Sequence, residues 1–162
     1  MSTSKRLIER LERHAKLAPF QRRFIRGAFR PGVLKAVLSC PRGAGKSTLS
    51  GWLLAEAIDP NGALFVPGSE SVLVAGSRDQ AGAVFRFLRQ ALGEEGYRYQ
   101  DSGQRVGCTH ADSNTRVRVA SSDGKRAFGI VAARLIIGDE PGAWQARGGA
   151  EMYDALETSG GK

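Results

Sequence analysis

The chain has 162 residues, of which 41% are hydrophobic, 25% charged and 7% aromatic. A globular unit of about 150 residues buries about 68–70% of its unfolded surface, so one real core is expected and two full domains are excluded. Twenty-one glycines occur without a Gly-X-Y period or a low-complexity tract, which rules out collagen-like and disordered classes. No apolar run approaches the ~18 residues that a bilayer-spanning helix requires, so no membrane association is expected.

The net charge of +8 is unevenly placed. Lys5, Arg6, Arg10, Arg13, Lys16, Arg22, Arg23, Arg26 and Arg30 face only Glu9 and Glu12 within residues 1–30, while the rest of the chain is nearly neutral. Such a segment is either a phosphate-backbone contact or a solvated helix face. Cys40 and Cys108 give no disulfide framework, and with His14 and His110 they make no metal-ligand spacing.

In chain order, residues 3–17 read as an amphipathic helix through Leu7, Ile8, Leu11 and Ala15. Pro19 suits the first turn of a second helix that Pro31-Gly32 stops. Val33–Leu38 is a short apolar run bounded by turn residues and reads as a buried strand. A helix carrying Leu49, Trp52, Leu53, Ala57 and Ile58 follows and ends at Asp59-Pro60-Asn61-Gly62. Val72–Ala75 is a second strand, and Ser77-Arg78-Asp79-Gln80 has the form of a capping box opening a helix to Leu92. Residues 104–109 and 115–120 alternate and predict a β-hairpin; residues 134–138 are a third apolar strand; a last short helix spans about 149–158. Strands alternating with helices predict an α/β sandwich with a mostly parallel sheet, N-terminal helices and a hairpin insertion. The organisation divides into residues 1–30, a basic helical segment, and residues 31–162, which hold the alternating strands and helices.

Two patterns carry chemistry. Cys40-Pro41-Arg42-Gly43-Ala44-Gly45-Lys46-Ser47-Thr48 lies between an apolar run and a helix, the context of a phosphate-binding loop. Gly43 and Gly45 allow the backbone amides to turn inward, the helix presents its positive end, Lys46 supplies a cation for β- and γ-phosphates, and Ser47 can ligate Mg²⁺. The usual motif has glycine where this chain has Cys40. The second pattern is Asp139-Glu140 at the end of the third strand: one carboxylate for the Mg²⁺ shell and a neighbour to polarise the attacking water. Gln21, in Pro19-Phe20-Gln21, has an amide able to read the N6/N7 edge of adenine, and equally can be an exposed side chain on a basic helix.

Together these pieces resemble, in order, the ATPase domain of the large subunit of tailed-phage terminases, the motors that package viral DNA. Residues 18–22 look like the adenine-reading segment, 39–47 like a divergent Walker A loop bearing an arginine, and 135–140 like Walker B, which implies a basic helical segment with the adenine-contact region over residues 1–30 and a partial P-loop ATPase domain over residues 31–162. The resemblance implies that Gln21, Arg42, Gly43, Ala44, Gly45, Lys46, Ser47 and Thr48 contact ATP, that Ser47 and Asp139 hold Mg²⁺, and that Glu140, Lys46, Arg42 and Arg126 are catalytic, Arg126 as a finger donated across a subunit boundary, with Arg134 the competing candidate for that finger. It further implies double-stranded DNA, a homo-oligomeric ring on a portal and a small terminase subunit as partners, in the cytoplasm of a host cell. The family continues beyond the acidic pair into a strand lying between the Walker A and Walker B strands, then a nuclease domain. The chain is therefore expected to be a fragment with two unpaired strand edges, binding nucleotide weakly and turning over slowly. The alternatives are a non-catalytic nucleotide- or DNA-binding module and a helicase-like ATPase fragment.

Overall fold

The computed structural model describes residues 1–100, 106–121 and 133–139. Within them lie helices α1 (Thr3–Leu11), α2 (Pro19–Ala28), α3 (Lys46–Ile58) and α4 (Arg78–Leu92), and strands β1 (Glu70–Ala75), β2 (Tyr97–Gln100), β3 (Gly107–His110), β4 (Arg116–Ser121) and β5 (Leu135–Asp139). The five strands form one sheet in the order β2-β3-β4-β1-β5. At its centre β1 runs parallel to β4 and to β5, and β2-β3-β4 extend it as an antiparallel meander. This is the expected α/β architecture.

The central strand shows why. Val72, Leu73 and Val74 are all fully buried, so β1 is covered on both faces, as a parallel strand flanked by crossovers must be. The β3–β4 hairpin closes through a turn in which Asn114 adopts a left-handed φ of 55°. Ser113 Oγ lies 2.9 Å from His110 Nδ1 and donates to Thr115 Oγ1, also at 2.9 Å. The buried Thr115 hydroxyl accepts from Gly68 N–H at 3.0 Å, which ties the turn to the loop entering β1.

Helix α3 is apolar nearly all round, which makes it the pivot of the molecule. Leu54 and Ile58 pack with Leu73, Val84, Phe85 and Leu88 between α4 and the sheet. Leu49, Leu53 and Ala57 pack with Leu7, Leu11 and Ile25 of the N-terminal helices. The α3–α4 crossing is close enough that a Cβ on Gly51 would sit 2.6 Å from the Val84 carbonyl oxygen and 2.9 Å from Leu88 N. Since both obstacles are backbone, Gly51→Ala must push the helices apart. A loss of about 1–3 kcal/mol is expected in urea unfolding, despite alanine's better helix propensity.

Two sequence expectations change. Residues 3–17 do not form one helix. Ser2 caps α1 by accepting from Lys5 N–H, and the helix ends at Leu11. Beyond it Glu12 accepts from Arg22 Nε of α2 at 2.6 Å, His14 stacks on Trp52 of α3, and Leu17 is buried. Tertiary contacts on two different helices thus turn the chain where the local pattern would have continued. The second change is larger: Val33–Leu38 is not a buried strand. It carries no ladder bonds, and Leu34 and Val37 are 91% and 76% exposed. A strand needs a neighbour to satisfy its N–H and C=O groups, and β5, the nearest edge in the sheet order, has β1 on one side and no strand on the other among the described residues. Strand β2 is an addition that the sequence reading did not contain. The expected 104–109 run is described only from residue 106, and the expected helix near 149–158 lies outside the described residues.

The meander holds three weak acids, one buried and two half-buried. Cys108, 1% exposed, has its thiol pushed up to about 12 by burial, and burial likewise pushes the Tyr97 phenol up to about 12 and raises Tyr99 further. In the unfolded chain these groups ionise near pH 9–10, so above that range the unfolded state holds fewer protons than the native one and stability falls as pH rises. Urea midpoints are expected to be insensitive to these groups up to about pH 9 and to drop between pH 9 and 12, with Cys108→Ser showing a shallower alkaline slope.

Candidate phosphate-binding site

Helix α3 begins at the proposed phosphate loop. Gly43 and Gly45 have φ of +77° and +76°, left-handed values that a side chain would strain, so the two glycines are required by the turn itself. Gly45 is the N-cap of α3, and Leu49 N–H closes the first helical turn on the Gly45 carbonyl at 2.9 Å. The helix dipole and the amides of the first turn favour an anion at the loop's concavity, while Ala44 N–H itself donates to the Pro41 carbonyl at 3.4 Å.

Lys46 is folded over that concavity. Its Nζ donates to the carbonyl oxygens of Cys40 at 2.9 Å and Pro41 at 3.1 Å. An anion in the loop would exchange these two neutral acceptors for charged ones, a favourable trade for an ammonium. Ser47 and Thr48 follow in the first turn, half-buried, while Arg42 is exposed at the loop's crest. Behind the loop, Gln21 of α2 accepts from Ala18 N–H at 2.9 Å through Oε1 and donates through Nε2 to the Ala44 carbonyl at a long 3.4 Å. Beside it lies a groove of about 630 Å³ between α2 and residues 33–41, walled by Phe20, Phe24, Val37 and Pro41.

Strand β5 delivers Asp139, which is 8% exposed, at the position opposite Ala75, the last residue of β1. Whether Asp139 and the loop share one end of the sheet follows from the direction of α3. Its C-terminal part is anchored at the start of β5: Leu64 N–H donates to the Glu56 carbonyl at 3.2 Å, and the Leu64 carbonyl accepts from Arg134 Nε at 3.4 Å. Leu135 and Ile137 of β5 pack in the cluster that holds Leu49, Leu53 and Ala57. Helix α3 therefore runs antiparallel to β5, and its N-terminus with Lys46 and Ser47 lies toward the carboxyl end where Asp139 stands. The N-terminus of α4, capped by Ser77 accepting from Gln80 N–H, belongs to the same end because it follows β1 directly. Carboxyl ends of parallel strands are where open α/β sheets bind ligands. Among the described residues no three His, Cys, Asp or Glu side chains gather into a metal site. Mg²⁺ needs none such, since it is commonly held by one or two protein oxygens together with phosphates and water.

Residues 37–143 match the family model of the RNA cytidine acetyltransferase NAT10/TcmA helicase domain. The chain belongs to that family. Its fold is that of P-loop ATPases. Among solved structures it is similar to the large terminase of bacteriophage HK97, with a TM-score of 0.75 and 26% identity. That alignment covers 98% of this chain and 36% of the terminase chain, so this chain spans about a third of that protein's length. No curated protein matches it. No helix among the described residues is long and apolar enough to cross a membrane.

Of the expected site residues, Gln21, Gly43, Ala44, Gly45 and Lys46 are joined in one loop assembly, with Ser47 and Thr48 beginning its helix and Arg42 on its outer side. Asp139 stands at the same end of the sheet. Glu140 and Arg126 lie outside the described residues. The sequence reading missed the Cys40 and Pro41 carbonyls as acceptors for Lys46, and the Phe20–Phe24 wall. The i, i+4 spacing of these two phenylalanines on a helix was the available signal for the wall.

Proposed function

We propose that the chain is the ATP-hydrolysing part of a nucleic-acid motor of the terminase type. The observation that carries this reading is the orientation of α3, which directs a glycine-turned phosphate loop to the sheet end bearing Asp139. In this reading Gly43, Ala44 and Gly45 cradle phosphate through their amides, Lys46 binds the β- and γ-phosphates, and Ser47 and Thr48 present hydroxyls from the first turn. Ser47 and Asp139 would hold Mg²⁺, which would supply positive charge to offset that of the phosphates. Glu140, next to the metal carboxylate, would orient and deprotonate water, and Arg42 and Arg126 would offset charge on the transferred phosphoryl group. The likeness to the HK97 large terminase supports the terminase-type reading. That reading would add ring assembly on a portal, a small terminase subunit as partner, double-stranded DNA as cargo gripped through its phosphates by the basic N-terminal segment, and the cytoplasm of a host cell as the site of work.

The family match supports a second reading, a helicase-type ATPase, on equal terms. The two differ in what nucleic acid does to turnover: a packaging motor is stimulated by blunt duplex without separating its strands, and a helicase-type enzyme responds to single strands. The ATPase reading common to both is tested with Glu140→Gln. Phosphate release is expected to fall about 10²-fold or more, with ATP affinity held within about threefold, because the lost interaction exists only in the transition state. Unchanged release would indicate a nucleotide-binding module without hydrolysis.

A further inference from the structure

The two faces of the sheet differ in chemistry. Leu73, Cys108, Val117, Tyr97, Tyr99 and Leu135 share one face and pack in the cluster that holds α3 and α4. Helices α1 and α2 pack on α3, on that same side. Side chains alternate along a strand, so the residues between these belong to the opposite face. The registers align Arg98 of β2 with Thr109 of β3, Thr109 with Arg116 of β4, and Arg116 with Glu70 of β1. In the next row Gln100 stands opposite Gly107, and Gly107 opposite Arg118, so no side chain separates Gln100 from Arg118. Three arginines thus share this face with one carboxylate.

Glu70 is engaged by two of them. Arg118 Nε donates to its Oε1 at 2.7 Å and Arg116 Nε donates to its Oε2, which holds the guanidiniums side by side. The carboxylate is 13% exposed and the Arg116 side chain 61%, so the cation stands outside the acid. Arg98 is exposed and has no acidic partner among the described residues. Glu94, just ahead of β2, is bound by Arg89 of α4. The face therefore keeps an excess of positive charge in an open array. It is not part of the phosphate site. Glu70 and Arg116 open their strands, whereas Asp139 pairs with Ala75 at the other end of β1, about 17 Å along the strand. A protein partner would need an apolar anchor at the centre of the patch, and a membrane an apolar helix face. Thr109, Gln100 and Gly107 supply neither. Guanidiniums suit phosphate oxygens, which they grip with two N–H groups and without regard to base.

We propose that the open face of the β2-β3-β4 meander, through Arg98, Arg116 and Arg118, is a contact for the phosphate backbone of nucleic acid. The inference deepens the nucleic-acid motor reading above and rests on it for the class of partner. It places the contact on the side of the sheet away from the basic N-terminal helices, with Glu70 fixing the spacing of Arg116 and Arg118.

The experiment titrates the full chain by fluorescence anisotropy against labelled duplexes of two unrelated sequences and one single strand, between about 50 and 200 mM salt. The wild type is compared with Arg98→Gln, Arg98→Glu and a double variant combining Arg98→Gln with Arg116→Gln. The double variant is expected to bind both duplexes about tenfold more weakly at the lower salt, with the slope of log K against log salt smaller by about 2. Arg98→Glu should weaken binding more than Arg98→Gln, a difference that a purely structural role for an exposed side chain would not produce. Urea midpoints of the Arg98 variants are expected to match the wild type, since substitution of an exposed side chain moves stability little. Variants that keep the wild-type affinity and salt slope overturn the inference and leave the motor reading standing. Displacement of the labelled duplex by polyglutamate as readily as by unlabelled duplex also overturns it, and assigns the face to an acidic protein. If the wild type binds neither duplex nor single strand, the inference falls together with the nucleic-acid part of the motor reading, and ATP turnover measured separately decides the ATPase part.

Discussion

Lys46→Ala is expected to reduce ATP turnover by about 10²–10³-fold, the scale on which removal of one preorganised donor to a transition-state anion is felt. Affinity for ATP should fall as well, because the same ammonium binds ground-state phosphate. The ammonium now donates to the Cys40 and Pro41 carbonyls, which are ordinary neutral acceptors at the loop surface. Losing those two bonds exposes the carbonyls to water, so stability should change by no more than about 0.5 kcal/mol. The combination of an intact urea midpoint and lost turnover would separate a chemical role from a folding one. Lys46→Arg is expected not to rescue: a planar guanidinium cannot rotate its donors within a loop shaped around a compact ammonium. Phosphate-release assays on the three proteins at saturating ATP check this. Turnover within tenfold of wild type in Lys46→Ala would remove the loop from the chemistry.

The legible and illegible parts of this molecule divide on a physical line. Gly43 and Gly45 were readable because left-handed turns leave glycine as the low-strain choice, and the segment stands directly before a helix. β1 was readable because a strand buried on both faces is written as an uninterrupted apolar run, and β5 by the shorter run Leu135-Ile136-Ile137, which is half-buried. Val33–Leu38 has that same composition yet stays outside the sheet, since pairing is a relation with a neighbour and no composition states whether the neighbour is present. β2, Tyr97-Arg98-Tyr99-Gln100, has the opposite history: a short half-polar strand that exists because β3 offers it an antiparallel edge. The end of α1 was hidden for a related reason, as the turn after Leu11 answers to Arg22 and Trp52 rather than to its own residues. At the site, side-chain patterns named Lys46 but were silent on its backbone acceptors. They named Gln21 without its orientation, because capping the helix and reading a base ask for the same amide.

The N-terminal helix is fastened to α3 by a charged cluster whose disruption should have the largest effect on stability. Arg10 Nε donates to Glu56 Oε2 at 2.6 Å and its terminal nitrogen to Asp59 Oδ2 at 2.6 Å. Glu56 also accepts from Ala63 N–H at 2.7 Å, and its side chain is only 4% exposed. Burial opposes the charge on Arg10, yet the hydrogen bonds and charges of Glu56 and Asp59 prevail and raise its pKa. Arg10→Met keeps the apolar stem packed and removes the guanidinium, leaving a buried carboxylate with one amide donor. Breaking a buried ion pair this way costs ~3–5 kcal/mol, and with the Arg10 side chain 15% exposed the lower bound is expected, about 3 kcal/mol. For a chain of this length that corresponds to a fall of about 6–12 °C in Tm. Glu56→Gln in the Arg10→Met background should recover part of the loss, since it removes the stranded charge and keeps an acceptor for Ala63; a double-mutant cycle measures the coupling directly. The cluster sits at the C-terminal end of α3, a helix of 13 residues and therefore about 20 Å long, so the loop at the other end should keep its nucleotide affinity in the folded protein. A fall in Tm without a change in Kd would assign this cluster to anchoring the N-terminal helix, and a parallel loss of binding would mean that α3 transmits strain along its length to Lys46.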